Sequence, residues 1–393
     1  MRTLDSVSLT SKHVLMRVDF NVPIRDGKIT DDGRIRAVLP TIKEILLQQP
    51  ASITLVAHLG RPDGEIDLKY SLKPTADRLA ELLAEPVALV SHVDFFQRSA
   101  PVSGIQVLEN IRFDPRETSK SDEDRAALAQ LLSQNADVFV SDGFGVVHRK
   151  QASVYDVAKL LPSVAGRLIQ KEVEVFDQVL TSPARPYTVI LGGAKVSDKL
   201  KVVNNLLNQA DSLLIGGGMA YTFLHAMGHD VGKSLLDLDS IDDVKQSIAL
   251  AEANGVDLLL PVDLVTASEF SETAQIATVL VEDIDPNWMG LDIGPKTREV
   301  FASRISESAT VIWNGPVGVF EMTPYSAGTT AIANAMAASG AFTVIGGGDS
   351  AAAIRQLGIP DDKFSHVSTG GGASLEYLEG KQLPGLLVLM EEQ

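Results

Sequence analysis

The sequence predicts an α/β protein made of two doubly wound, Rossmann-like parallel sheets joined by a helical hinge. Three observations carry that prediction. Short apolar, β-rich runs alternate with helix-period segments along the whole chain. The runs are continuously apolar rather than alternating in and out, as strands covered on both faces are. The 393 residues fill two or three domains at roughly 100–200 residues each.

In the first half the strands fall at Val14–Val18, Ile53–Ala57, Val87–Val90, Ile105–Leu108 and Val138–Val140. Helical stretches separate them. Leu39, Ile42, Ile45 and Leu46 make one apolar stripe, and Leu79, Leu82 and Leu83 another. Ser121 and Asp124 read as a capping pair ahead of Leu128, Leu131 and Leu132. In the second half the strands fall at Thr188–Leu191, Ser212–Ile215, Leu258–Leu260, Thr310–Trp313, Phe342–Ile345 and His366–Ser368. Ser240–Asp243 and Thr297 read as helix starts. No short-period repeat is present, which argues against a solenoid.

The domain junction is legible. Val164–Leu180 carries a helical stripe of Ile169, Val173, Phe176 and Leu180. Pro183 and Pro186 then lack the amide donor that a continuing helix needs. This gives an N-terminal domain over 1–165, a connector helix and hinge over 166–185, and a C-terminal domain over 186–371. Residues 372–393, after the Gly370–Gly372 run, are expected to pack back on the N-terminal domain.

Composition narrows the function. There are 34 basic and 51 acidic residues, a net charge of −17. A surface that acidic disfavours nucleic acid and anionic membranes as partners. With no cysteine, disulfides, thiolate catalysis and iron–sulfur clusters are excluded. The charged first twenty residues do not read as a signal peptide, and no apolar run approaches the ~20 residues of a membrane span. A cytoplasmic protein is the expectation.

Against that acidic background the ends of the N-terminal strands are basic. They lead into Asp19 and Asn21, into His58 and Arg61, into Arg112, and into Arg149. Arg34 lies in a loop-like Asp31–Arg34 stretch. Parallel strands bring their carboxyl ends to one edge, where ligands of such sheets bind. An arginine fork matches phosphate or carboxylate oxygens two at a time. Any one of these arginines is equally at home in an exposed ion pair, worth ~0–1 kcal/mol. Together, each at a strand end, they point to a small, highly charged anion. His58 reads as a hydrogen-bonded structural residue rather than a catalyst.

The strands of the second half run into glycine loops: Gly192–Lys199, Gly216–Met219, Asn314–Gly318 and Gly346–Ser350. Free amides at a helix N-terminus favour anions. Lys195 and Lys199, one helical turn apart, add charge suited to a nucleotide. GxxxxGK[ST] and an opening GxGxxG are both absent, which argues against a P-loop NTPase and a dinucleotide-binding enzyme. Asp349 suits either the N-cap of its helix or a Mg²⁺ ion beside nucleotide phosphates. Glu321 suits either ribose hydroxyls or solvent.

At this point a resemblance becomes specific. The stretches RVDFNVP (17–23), GRIRAVLPTI (33–42), AHLGRPDG (57–64), LENIRF (108–113), DGFGVVHR (142–149), GGAKVSDKL (192–200), GGGMAYTFL (216–224), LDIGPKT (291–297), WNGPVGVFE (313–321), GGGDSAAA (346–353) and STGGGASLEYLEGK (368–381) follow one another as in the phosphoglycerate kinases. The chain resembles that family, in its bacterial form, over nearly its whole length. The resemblance implies reversible transfer of the acyl phosphate of 1,3-bisphosphoglycerate to Mg-ADP in glycolysis, with hinge-bending closure, by a cytoplasmic monomer. It implies phosphoglycerate contacts from Asp19, Asn21, Arg34, His58, Arg61, Arg112 and Arg149. It implies a nucleotide site from Lys199, Gly290, Asn314, Pro316, Glu321, Gly347, Gly348, Asp349 and Ser350. Asp349 would hold Mg²⁺ through the nucleotide, and Arg34 and Lys195 would stabilise the transferring group. Many relatives read AHRAHAS where this chain has Val147–Ser153, which leaves the roles of Lys150 and Gln151 open. Asp142-Gly143-Phe144 also departs from the more usual acidic-Ala-Phe.

The residue inventory agrees with such chemistry. ADP and a carboxylate are ionised at neutral pH, so neither direction requires a general base, and the sequence offers no obvious pair for one. A non-catalytic metabolite sensor using the same pockets is the remaining rival, and intact Lys195 and Asp349 argue against it.

Overall fold

The computed structural model describes residues 1–390. The chain divides into two units: residues 1–174 with the C-terminal segment from 382, and residues 175–381. The first contains β1 (His13–Arg17), a short hairpin of β2 (Ile24–Arg25) and β3 (Lys28–Ile29), β4 (Ser52–Val56), β5 (Val87–Val90), β6 (Gly104–Leu108), β7 (Val138–Ser141) and β8 (Ser163–Ala165). Six of these form a fully parallel sheet in the order β5-β6-β4-β1-β7-β8. Every residue of β4 and β7 is buried, because helices cover both faces. One face packs Val14, Met16, Leu55 and Val107 against Ile42, Ile45 and Leu79 of the flanking helices. Chain succession runs outward from β1 to β4 on one side, then returns to β7 on the other. That reversal opens a crevice at the carboxyl ends of β1 and β7.

The second unit adds β9 (Tyr187–Leu191), β10 (Ser212–Ile215), β11 (Asp257–Leu259), β12 (Asp263–Ala267), β13 (Ile276–Leu280), β14 (Met289–Ile293), β15 (Thr310–Asn314), β16 (Phe342–Gly346) and β17 (His366–Val367). Its parallel sheet has the order β11-β10-β9-β15-β16-β17. Successive strands thus run to one side of β9 and then resume beyond it at β15, the doubly wound pattern with its switch point between those two strands. Strands β12 to β14 make a separate antiparallel sheet, β13-β12-β14. That sheet, β8 and the β2–β3 hairpin lie outside the strands expected from the sequence.

Several local expectations change. Val164 lies in β8, paired with Val140 of β7, so the connector helix spans Arg167–Thr181 rather than starting at 164. Asp142 at the end of β7 caps it across the chain, accepting from the amides of Leu168 at 3.0 Å and Ile169 at 3.3 Å. Arg34 sits in a helical turn, Gly33–Ala37, not a loop. Ser121 does cap its helix, its Oγ accepting from Asp124 N at 3.2 Å.

The first change of unit falls inside the connector helix, between Glu174 and Val175. The second falls after Lys381 rather than at the glycine run. The reason is that Gly372–Leu378 is a helix of the second unit, tied there by Asn205 Nδ2 donating to Leu378 O at 2.7 Å. Beyond it, Gly385 N donates to Val147 O at 2.8 Å, and Arg2 N to Leu389 O at 3.2 Å. Among the described residues no helix is long and apolar enough to cross a membrane.

Candidate active site

The loops at the carboxyl ends of β1, β4, β6 and β7 form one polar network. Asp19 Oδ2 accepts from Arg34 Nη1 at 2.8 Å, and the same nitrogen reaches Asn21 O at 3.2 Å. Asn21 Oδ1 accepts from Gly60 N at 2.9 Å, while Gly60 O accepts from Arg112 Nη1 at 2.6 Å. Arg61, Arg112 and Arg149 line a 290 Å³ cavity together with Asp63, Thr118 and Gln151. Among the described residues none of these three arginines pairs with a carboxylate within 4.0 Å, and Arg112 Nε is buried without a partner. Burial, then the charges of Arg149 and Arg17, push Arg112 down to about 10. Cations held this close and not ion-paired form a site for a mobile anion.

His58 is buried, and its Nδ1 lies 3.3 Å from Arg17 Nη2. Burial, reinforced by Arg17, Arg112, Arg149 and Arg34, drives its pKa well below the usual imidazole value. It is therefore neutral. An arginine has no acceptor, so Nδ1 must accept and the ring proton sits on Nε2.

Arg17 is not among the site residues expected from the sequence. It is fully buried in β1. Its Nη1 donates to the carbonyls of Val18 and Val56, and its Nε donates to Ser153 Oγ at 2.8 Å. Ser153 in turn donates to buried Glu117, through Oγ at 2.6 Å and through N at 2.9 Å. The available signal was an arginine inside an otherwise apolar run.

In the second unit a 660 Å³ cavity opens at the β9/β15 switch point. Of the expected residues, Gly290, Pro316, Glu321 and Asp349 line it. Tyr221, Lys233 and the well-exposed Phe270 also line it, and no motif or charge pattern singles them out. Gly217 must be glycine: its φ is +66°, and a Cβ there would lie 2.8 Å from Gly193 backbone and Pro316 O. Lys199 Nζ donates to Asn314 O at 2.8 Å and Oδ1 at 2.6 Å. Burial lowers Lys199 to about 8, with Asp349 and Asp198 opposing. Ser350 Oγ accepts from Gly315 N at 2.7 Å, tying the β15 loop to the β16 loop.

Asp349 does not cap its helix. That helix is Gly348–Gln356, Gly347 takes the N-cap position at φ +87°, and no side chain caps it. The carboxylate at 349 instead lines the cavity. Lys195 is exposed near Asp237 and is not among the lining residues. Arg34 and Lys195 lie on different units.

The chain is similar to proteins already known. The family model for phosphoglycerate kinase matches residues 4–381. The chain belongs to the phosphoglycerate kinase family. The phosphoglycerate kinase of Leifsonia xyli is 54% identical over 99% of both chains. That of Streptomyces avermitilis is 52% identical over 99% of this chain and all of its own. Among solved structures, the Coxiella burnetii phosphoglycerate kinase superposes with a TM-score of 0.87 at 38% identity, covering 99% of this chain and 98% of its own. The Pyrococcus horikoshii enzyme gives 0.86 at 32%, with the same coverage. Membership makes the chain a phosphotransferase of glycolysis.

Within that family the departure at residues 147–153 now has a structure. Lys150 turns outward, Nζ 3.0 Å from Asp122 Oδ1 and over the Tyr155 ring. Gln151 turns inward and lines the arginine cavity.

Proposed function

We infer that the first unit binds phosphoglycerate through Asp19, Asn21, Arg34, His58, Arg61, Arg112 and Arg149, and that the second binds ADP or ATP. The observation that carries this reading is the convergence of three carboxylate-free arginines on one cavity in a protein of net charge −17. Phosphoryl transfer passes through a loose, in-line transition state, so the protein's tasks are alignment and charge stabilisation. Asp19 orients the Arg34 fork. Neutral His58 donates from Nε2 without adding charge. Lys199, held by Asn314, presents an ammonium to the nucleotide phosphates, and Glu321 receives ribose hydroxyls. Arg34 and Lys195 balance the charge that develops on the transferring group.

Asp349 fits a magnesium ion: its carboxylate is a hard oxygen donor that lines the cavity without capping its own helix. Among the described residues no group of three or more potential ligands exists, so the ion would be held mainly by the nucleotide, as Mg²⁺ commonly is. Bound there, Mg²⁺ would neutralise phosphate charge. The acyl phosphate is hydrolytically labile, and the two ligands belong to different units. Closure about the connector helix would bring them in line and exclude water. The reading includes a monomer acting in the cytoplasm.

Calorimetric titration with 3-phosphoglycerate tests the anion site. Wild type should bind, and Arg149→Met should bind at least about 10-fold more weakly, as expected for loss of a charge-assisted contact. Equal affinity would remove Arg149 and its cavity from the reading.

A further inference from the structure

Gln151 is an anomaly in the arginine cavity. It is 5% exposed, and its Oε1 is buried without a hydrogen-bond partner. Its side chain makes no hydrogen bond among the described residues. Its backbone is fixed, since Gln151 O accepts from Val154 N at 3.1 Å and Tyr155 N at 2.8 Å. A buried amide left unsatisfied is costly, so such groups are normally paired. This one lines a cavity with Arg61, Arg112 and Arg149. An amide also carries two donors on Nε2, and rotation about its last torsion exchanges donor and acceptor ends. An anion entering the cavity would satisfy it.

We propose that Gln151 is a specificity-determining residue that hydrogen-bonds the anionic group of the phosphoglycerate as a neutral donor beside the three arginines. The inference rests on the function proposed above and adds a role for Gln151 within it. A histidine at this place would bring an imidazole, which changes charge near pH 6.5 when free. The ionisable groups around Gln151 are Arg61, Asp63, Arg112, Glu117, His148 and Arg149. The amide adds none, so its contribution to substrate affinity does not change with pH.

Three proteins test this: wild type, Gln151→Leu and Gln151→His. KM for 3-phosphoglycerate and kcat are measured from pH 5.5 to 8.5, with thermal melts and ATP affinity confirming folding. Gln151→Leu should raise KM for 3-phosphoglycerate about 10-fold, the loss of a hydrogen bond to a charged group, with kcat nearly unchanged. For Gln151→His, the ratio of its KM to that of wild type should rise several-fold with pH as the imidazole loses its charge, the neighbouring arginines holding that inflection toward the acidic end of the range. The substrate's own ionisation cancels in that ratio. An unchanged KM in Gln151→Leu, or a pH-independent ratio in Gln151→His, overturns the proposal while wild type remains active. Inactive wild type would instead refute the underlying function. If Gln151→Leu fails to fold, the Gln151→His ratio alone decides.

Discussion

Replacing Arg17 with methionine isolates the buried charge network behind the anion site. Arg17 and Glu117 are fully buried and joined through Ser153 Oγ, at 2.8 and 2.6 Å. Methionine keeps much of the aliphatic volume but leaves Glu117 without its counter-charge. Breaking one side of a buried pair costs about 3–5 kcal/mol. At about 2–4 °C per kcal/mol for a domain of this size, melting of the first unit should fall by roughly 6–20 °C. Both tryptophans, Trp288 and Trp313, lie in the second unit. Their fluorescence therefore follows that unit, while far-UV circular dichroism follows both. The pH dependence has a definite sign. Burial raises Glu117, and the Arg17 charge is the leading influence that opposes it. Removing Arg17 raises Glu117 further. A carboxyl whose folded pKa exceeds its unfolded one weakens the fold as pH climbs from the unfolded value through the folded one. The deficit should therefore be larger at pH 8 than at pH 5. A variant melting within about 2 °C of wild type, or a deficit that shrinks with pH, would refute the network's role.

Two further outcomes follow from the site. Arg34→Ala should lower kcat by about 10²–10³-fold, the range for loss of one transition-state donor, while ATP affinity measured by titration is unchanged; near-normal turnover would contradict its assignment. ADP affinity should decline as pH rises through about 8, where Lys199 loses its proton, and Lys199→Met should lack that inflection; the same pH profile in both proteins would show that Lys199 does not meet the nucleotide.

The parallel strands were legible because strands buried on both faces leave largely apolar runs, and Val138–Val140 is of this kind. Strand β8 was not, because Val164 continued a helical stripe and only pairing with β7 separates it. The antiparallel sheet was hidden by its mixed burial. All of β12 is buried, yet β13 is half exposed, so neither shows clean alternation. At the site, residue type at strand ends was informative: Arg61, Arg112 and Arg149 do meet in one cavity. Burial was not legible. Arg17 reads on paper like any strand arginine, and its worth lies in Ser153 and Glu117, far away in sequence. Asp349 had two local readings, and only the helix start at Gly348 separates them. Gln151 stood out as a departure, but its unpartnered amide emerges only from packing.

In the function proposed above, a phosphoryl group passes between the anion of the first unit and the nucleotide of the second. The most direct measurement is ATP formation from ADP and enzymatically generated 1,3-bisphosphoglycerate, with and without Mg²⁺. Rapid, Mg²⁺-dependent ATP formation that Arg34→Ala slows by about 10²–10³-fold is the predicted result. Folded protein that binds both ligands but forms no ATP would contradict the account.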